Sequence, residues 1–254
     1  MTIKAKTENE IAIMRRAGRA LAQVMLELEK EVRPGIDTLQ LDKLAEELIL
    51  SHGGVPAFKG YGDSDNPFPA TICASVNKEI VHGIPKSDTI LAEGDLLKID
   101  IGLELDGYFA DMARTIAVGK VNPEAQKILE VTKQSFWKGI KALKDGANMS
   151  DYSKAVQKHV EQAGFSVVKN LVGHGIGVNL HEQPHVPNYF EKGYRDLILK
   201  EGMTLALEPM VNAGDFRTVL GKDGWVFETA DGKLSAHYEN TILITKKGVE
   251  VLTQ

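Results

Sequence analysis

The chain has a single cysteine, Cys73, so no internal disulfide can staple it, and that usage fits a reducing cytosol. It has no apolar run approaching the ~20 residues of a membrane span. Its first residues, MTIKAKTENE, lack the apolar centre of a secretory signal. A cytoplasmic location is the expectation. Positive charge is not in excess either. Thirty Lys and Arg against 35 Asp and Glu leave a formal net charge of −5, which removes the electrostatic case for nucleic acid as the main partner. Low-complexity tracts and linkers are missing too. What remains is 254 residues, 43% hydrophobic and 26% charged, an ordinary globular composition with ample material for a core.

The most informative stretch is residues 96–118, LLKIDIGLELDGYFADMARTIAV. Two apolar runs flank Asp106-Gly107, and Asp-Gly suits a two-residue turn because both central positions need positive φ. That register sets Leu105 against Tyr108, Gly102 against Asp111 and Asp100 against Ala113. Asp100 and Asp111 then become diagonal neighbours on one face, with backbones roughly 7–8 Å apart. Carboxylates so placed repel unless something intervenes. One of them keeps its proton as in an acid/base dyad, a cation holds both, or the face is open to water.

Around this hairpin the chain reads as helices and short strands. Thr7 and Glu10 form a capping-box pattern ahead of Ile11, Met14, Ala17, Leu21, Val24 and Leu28 at helical spacing, up to Pro34-Gly35. Thr38 is the expected cap of a second helix, closed by Gly53-Gly54. Residues 58–72 read as a loop, followed by strands at Ile72–Val76 and Ile80–His82. Asn122-Pro123-Glu124 starts a third helix, expected to reach about Lys144, and Ser150 or Asp151 caps a fourth that closes at Gly164. The two helix pairs run in parallel at an offset of 111 residues, with Gly53 matching Gly164. One domain over 1–254, made of related halves at about 1–120 and 121–254, is the expected organisation.

The second half adds GHGIGVNLHEQPH at 173–185 and LALEPMV at 205–211, the latter read as one strand interrupted by Glu208. A second hairpin is expected over 225–245 about Asp231-Gly232, with Glu239 at the head of an apolar run. An acid inside an apolar strand is costly unless paired or bound to metal. Singly, Asp100, Asp111, Glu208, Glu239 or His174 is better read as a cap, ion pair or exposed edge. Together they are better explained by a shared cation site, and two ions bridged by carboxylates balance the charge.

In this order KIDIG, FADMA, GHGIGVNLHEQPH, LEPMVNAG and HYENTILIT closely resemble the type I methionine aminopeptidases along essentially the whole chain. That resemblance implies an α/β (α+β) pita-bread fold, two pseudo-symmetric halves around a curved antiparallel sheet with helices outside. It implies a metallo-aminopeptidase that removes initiator methionine from nascent polypeptides when the second residue is small. Asp100 would hold one divalent ion in bidentate fashion, Asp111 and Glu239 would bridge two, and His174 and Glu208 would hold the other, with Glu208 shuttling a proton. Cobalt, manganese, iron(II) and zinc all suit such donors.

His82 and His181 match the histidines that face the leaving amine and the scissile carbonyl. Tyr61, Cys73, His82 and Trp225 fall where the methionine pocket does. Phe58 stands where a cysteine is often found and Leu180 where an aromatic residue is usual, and the loop 62–69 differs in length and composition. These departures bear on pocket shape. His52 and His159 read as helix-surface residues, while His185 and His237 have no match in the family pattern. A monomer with transient ribosome contact and no membrane attachment completes the expectation. Proline-specific relatives normally carry a further N-terminal domain, whereas this sequence opens on the first catalytic helix. Non-catalytic relatives typically lose ligands, and none is missing here.

Overall fold

The computed structural model describes residues 3–193 and 196–254. The first half of the chain holds α1 (Glu8–Glu31), α2 (Thr38–Ser51), β1 (Val55–Pro56), β2 (Ile72–Val76), β3 (Glu79–Val81), β4 (Leu96–Leu105) and β5 (Tyr108–Ala117). The second half begins with α3 (Pro123–Ile140), α4 (Met149–Gln162), β6 (Ser166–Val167), β7 (Gly173–Gly175), β8 (Glu182–Val186) and β9 (Thr204–Leu207). It ends with β10 (Met210–Asn212), β11 (Thr218–Leu220), β12 (Phe227–Thr229), β13 (Ser235–His237), β14 (Glu239–Thr245) and β15 (Gly248–Val251).

The helices start and stop for local reasons. Thr7 and Glu10 close their capping box in both directions, and α1 buries Ile11, Met14, Leu21, Val24 and Leu28 along one stripe. The cap of α2 is Asp37, not Thr38. The Asp37 carboxylate accepts from the Gln40 N–H at 2.9 Å, while the Thr38 hydroxyl is engaged with both backbone groups of Lys86. Asn122 caps α3 as expected, but the helix ends at Ile140. From there the chain tightens into three-residue turns, Ala142 N–H to Gly139 O and Leu143 N–H to Ile140 O. Asn148 stands at the cap of α4 in place of Ser150 or Asp151. It makes no side-chain cap bond, and Asp196 from a distant loop accepts from the Ser150 N–H instead.

The main sheet has nine strands, with β1-β4-β5-β14-β9-β7-β8 along its path, β2 also on β4 and β15 also on β14, all antiparallel. The hairpin register is the expected one, Asp100 opposite Ala113 and Gly102 opposite Asp111. Alternation then sorts the faces. Leu97, Ile99, Ile101 and Leu103 of β4, with Ala110 and Met112 of β5, pack under α1 and α2 in one core cluster. Asp100, Asp111 and Ala113 point to the other face. A second cluster joins α3 and α4 to β9, β13 and β14 through Phe136, Tyr152, Val156, Leu205, Leu207 and Ile242. Helices therefore cover one face of the sheet and leave the other for chemistry.

Two strand expectations are corrected. The run 205–211 is two strands, β9 and β10, in different sheets, because Pro209 has no N–H to continue a ladder. The turn at Asp231-Gly232 forms, with the Gly232 N–H donating to Thr229 O, but its arms separate. β12 pairs with β11 and β3, β13 pairs with β10, and β14 joins the main sheet. The Ser235–His237 arm is claimed by β10 and by the Thr115 hydroxyl, so no hairpin spans 225–245.

Candidate metal centre

Four consecutive ladders align the five candidate ligands. Ala113 of β5 faces Asp100 of β4 on one side and Glu239 of β14 on the other. Asp111, two residues before Ala113, shares that face. Asn240 faces Leu207, so one further step sets Glu208 against Glu239. His174 of β7 faces Ala206, two residues before Glu208. A one-residue slip in any ladder would turn its ligand to the helical core. The glycines beside His174 permit the close approach of its neighbours. A Cβ on Gly175 would lie 2.2 Å from Gln183 O, and one on Gly173 2.5 Å from Ala206 O.

All five residues line one cleft of about 570 Å³, including its open mouth. Ligand atoms of Asp111, His174 and Glu239 lie within 4.8 Å of one another. The His174 Nε2 is 3.6 Å from Glu208 Oε1 and 3.9 Å from Asp111 Oδ2. Its Nδ1 donates to Gly175 O at 2.9 Å, which leaves the Nε2 lone pair aimed at two carboxylates. A lone pair facing anions is repulsive until a cation stands between them. Asp100 Oδ1, Asp111 Oδ1 and Glu239 Oε1 are buried and have no hydrogen-bond partner, a costly condition that a cation would relieve. This donor set, one imidazole with carboxylates, fits divalent metal.

Burial pushes the Asp100 carboxyl up to about 7. It also pushes Asp111, Glu208 and Glu239 well above the ordinary carboxylate range, with neighbouring carboxylates adding to the rise. The buried imidazoles move the other way, His174 and His237 down to about 3 and His82 to about 4, with burial the leading cause. In metal-stripped protein the acids hold protons that the unfolded chain releases. Their stabilisation is full below pH ~4 and is lost as pH rises through the folded values. The histidines cost stability below about pH 6.5, where the unfolded chain takes up protons that the folded rings refuse. That cost fades as pH rises to about 6.5 and is absent above it. Metal-stripped protein is therefore expected to melt at falling temperature from pH 6.5 to 8.5. Divalent metal should raise the melting temperature most at the alkaline end. A flat or rising metal-free profile across that window would contradict this charge balance.

The same cleft collects the expected pocket residues, Tyr61, Cys73, His82 and Trp225, together with His181. Phe58, Phe68 and Leu180 join them, so both departures from the family pattern stand on the pocket wall. Burial raises the Cys73 thiol well above its usual value, so it stays protonated and acts as an apolar surface. His82 sits at φ 61°, one residue past β3, a conformation uncommon for a side chain with a Cβ. Its ring meets Trp225 and Phe227 edge-on at 6.2 and 6.0 Å. The Tyr61 hydroxyl lies 2.5 Å from His181 Nδ1, and the His181 ring is 4.3 Å from that of His174. A second groove shares His82, His174, His181 and Glu208 and continues past Val81, Asn170, Leu171 and His185.

His52 is the exposed C-cap of α2, and His159 lies on α4 with its Nδ1 against Lys138 Nζ. The residue that family matching passes over is His237. It is buried behind the centre, its Nε2 3.8 Å from Glu208 and 3.9 Å from Glu239. Its spacing of two from Glu239 in a strand-like run was the available signal.

Comparison with known proteins agrees with this geometry. The model of metallopeptidase family M24 matches residues 12–246. A methionine aminopeptidase of Clostridium perfringens is 49% identical over 249 residues, covering 98% of this chain and 97% of the relative. Methionine aminopeptidase 1 of Bacillus subtilis is 48% identical, covering 99% of both. The crystal structure of methionine aminopeptidase from Thermotoga maritima superposes with a TM-score of 0.95 at 41% identity, over 100% of both chains.

Proposed function

The chain belongs to the methionine aminopeptidases of metallopeptidase family M24, and from that membership we propose that it removes the initiator methionine of new polypeptides whose second residue is small. It is a metallo-aminopeptidase, a hydrolase, on the mixed α/β pita-bread fold of that family. The observation that carries the finer reading is the convergence of three buried acids, the partly buried Glu208 and His174 in one largely apolar cleft.

In this reading Asp100, Asp111, His174, Glu208 and Glu239 would together hold two divalent ions. Manganese, cobalt, iron(II) and zinc are the candidate metals. When bound, the ions polarise the scissile carbonyl and acidify the attacking water. Glu208, with its proton affinity raised by burial and by Asp100 and Asp111, accepts a proton and passes it to the departing amine. With the Tyr61 hydroxyl donating to Nδ1, His181 carries its own proton on Nε2. It donates that proton's hydrogen bond to the oxygen where negative charge develops. His82, kept neutral by burial, faces the leaving nitrogen.

Phe58, Tyr61, Phe68, Cys73, Leu180 and Trp225 enclose the methionine side chain, whose thioether gains from aromatic edges. The remaining peptide follows the second groove. The substrates are N-termini of nascent chains, met transiently at the ribosome by a cytoplasmic monomer, without specificity for nucleic acid or attachment to membrane. Among the described residues no helix is long and apolar enough to cross a membrane.

A second-residue series tests this reading. With manganese present, Met-Ala-Ser and Met-Gly-Ser should be cleaved with similar kcat/KM. Met-Leu-Ser should fall at least about 100-fold below them, the scale on which a misfit in a shaped pocket discriminates. Equal cleavage of the leucine peptide would remove the small-residue requirement.

A further inference from the structure

We propose that His237 is a positioning residue of the metal centre, donating from Nε2 to Glu208 and Glu239 from the side away from the cleft. The proposal rests on the metal-centre reading above and deepens it.

The backbone holds this ring in place. The His237 N–H donates to Thr115 Oγ1 at 2.8 Å, and its carbonyl accepts from the same hydroxyl at 2.8 Å. The side chain is 1% exposed, and neither ring nitrogen has a hydrogen-bond partner. A buried donor left unmade is costly, so such a group ordinarily marks a partner that moves slightly or arrives with a ligand. Two carboxylate oxygens stand in its path, Glu208 Oε2 at 3.8 Å and Glu239 Oε2 at 3.9 Å. A rotation that closes either gap by roughly 1 Å makes a normal N–H···O bond. His237 is not among the residues that line the cleft, whereas Glu208 and Glu239 both are.

The neighbouring cationic side chains are committed elsewhere. Arg114 donates to the carbonyls of Ala113 and Glu239 and to Asn240 Oδ1. The Lys98 ammonium donates to the carbonyls of Asn77, Leu96 and Ser235. Among the described residues, His237 is the side chain whose unmade donor faces both carboxylates on this side. With both acids ionised, as ligands of a divalent ion would be, His237 Nε2 is placed to donate to an oxygen of either carboxylate. Partners of this kind orient ligating carboxylates, and losing one typically weakens metal binding 10–100-fold.

The test compares wild type, His237→Gln and His237→Leu. Each is stripped of metal, titrated with Mn²⁺ by calorimetry, then assayed on Met-Ala-Ser. Glutamine keeps an amide donor of similar reach, whereas leucine keeps the volume without a donor. His237→Leu is expected to bind Mn²⁺ about 10–100-fold more weakly and to lose kcat with KM little changed. His237→Gln should stay within a few-fold of wild type in both. If the leucine protein does not fold, His237→Asn takes its place, because its shorter amide falls short of the carboxylates and should lose Mn²⁺ affinity likewise. Unchanged affinity in the donor-deficient variant overturns the proposal, as does equal loss with glutamine, which would mark simple packing. A wild type that binds no Mn²⁺ would instead overturn the metal-centre reading.

Discussion

Asp111→Asn is expected to lower kcat/KM for methionine release roughly a thousandfold or more. That matches the loss of several kcal/mol of transition-state stabilisation that a properly held metal supplies. Asp111 is the ligand for which this should be most complete. It lies between Asp100 across one ladder and Glu239 across the next, and its Oδ1 has no partner inside the protein. Asparagine has nearly the same shape, so the Asp111 backbone bond to the Thr241 hydroxyl survives.

Asparagine is neutral without a proton, so the same change removes the cost of keeping one of four crowded carboxyls protonated above its ordinary range. The metal-stripped variant should therefore melt no lower than metal-stripped wild type at pH 8, and higher if repulsion dominates. Metal should then add little to its melting temperature. Greater intrinsic stability together with lost activity is the signature of a site whose strain serves function. Thermal melts with and without Mn²⁺, beside the peptide assay, check both halves. Full activity in Asp111→Asn would remove this residue from the ligand set.

The legible parts of this fold were those set by local rules. Thr7 with Glu10 and Asn122 with Pro123 announced helix starts, and Asp106-Gly107 fixed a hairpin whose register brings Asp100 and Asp111 to one face. Charged residues in apolar strands stood out because burial leaves them no cheaper use than a ligand or ion pair.

What stayed hidden depended on partners distant in sequence. Asp231-Gly232 looks like Asp106-Gly107, yet its arms separate because β10 and Thr115 compete successfully for residues 235–237. The cap of α4 is supplied by Asp196 from another segment, and no local pattern reveals it. The apolar run 205–211 places Glu208 inside a strand, whereas the following proline ends one sheet at that point. His237 carries no signal in the family pattern, because its relation to Glu208 crosses strands that only the tertiary structure brings together.

Removing metal should have the largest effect of all. In the proposed mechanism Glu208, His181 and His82 place and move protons. They cannot stabilise four crowded carboxylates or make water strongly nucleophilic at neutral pH. The decisive measurement is methionine release from Met-Ala-Ser, beside Pro-Ala-Ser as control, by chelator-stripped protein before and after adding manganese or cobalt. The account predicts no release when stripped, restoration by metal, and methionine only from the first peptide. Release by fully stripped protein, cleavage of the proline peptide, or a folded protein inactive with every divalent metal would contradict it.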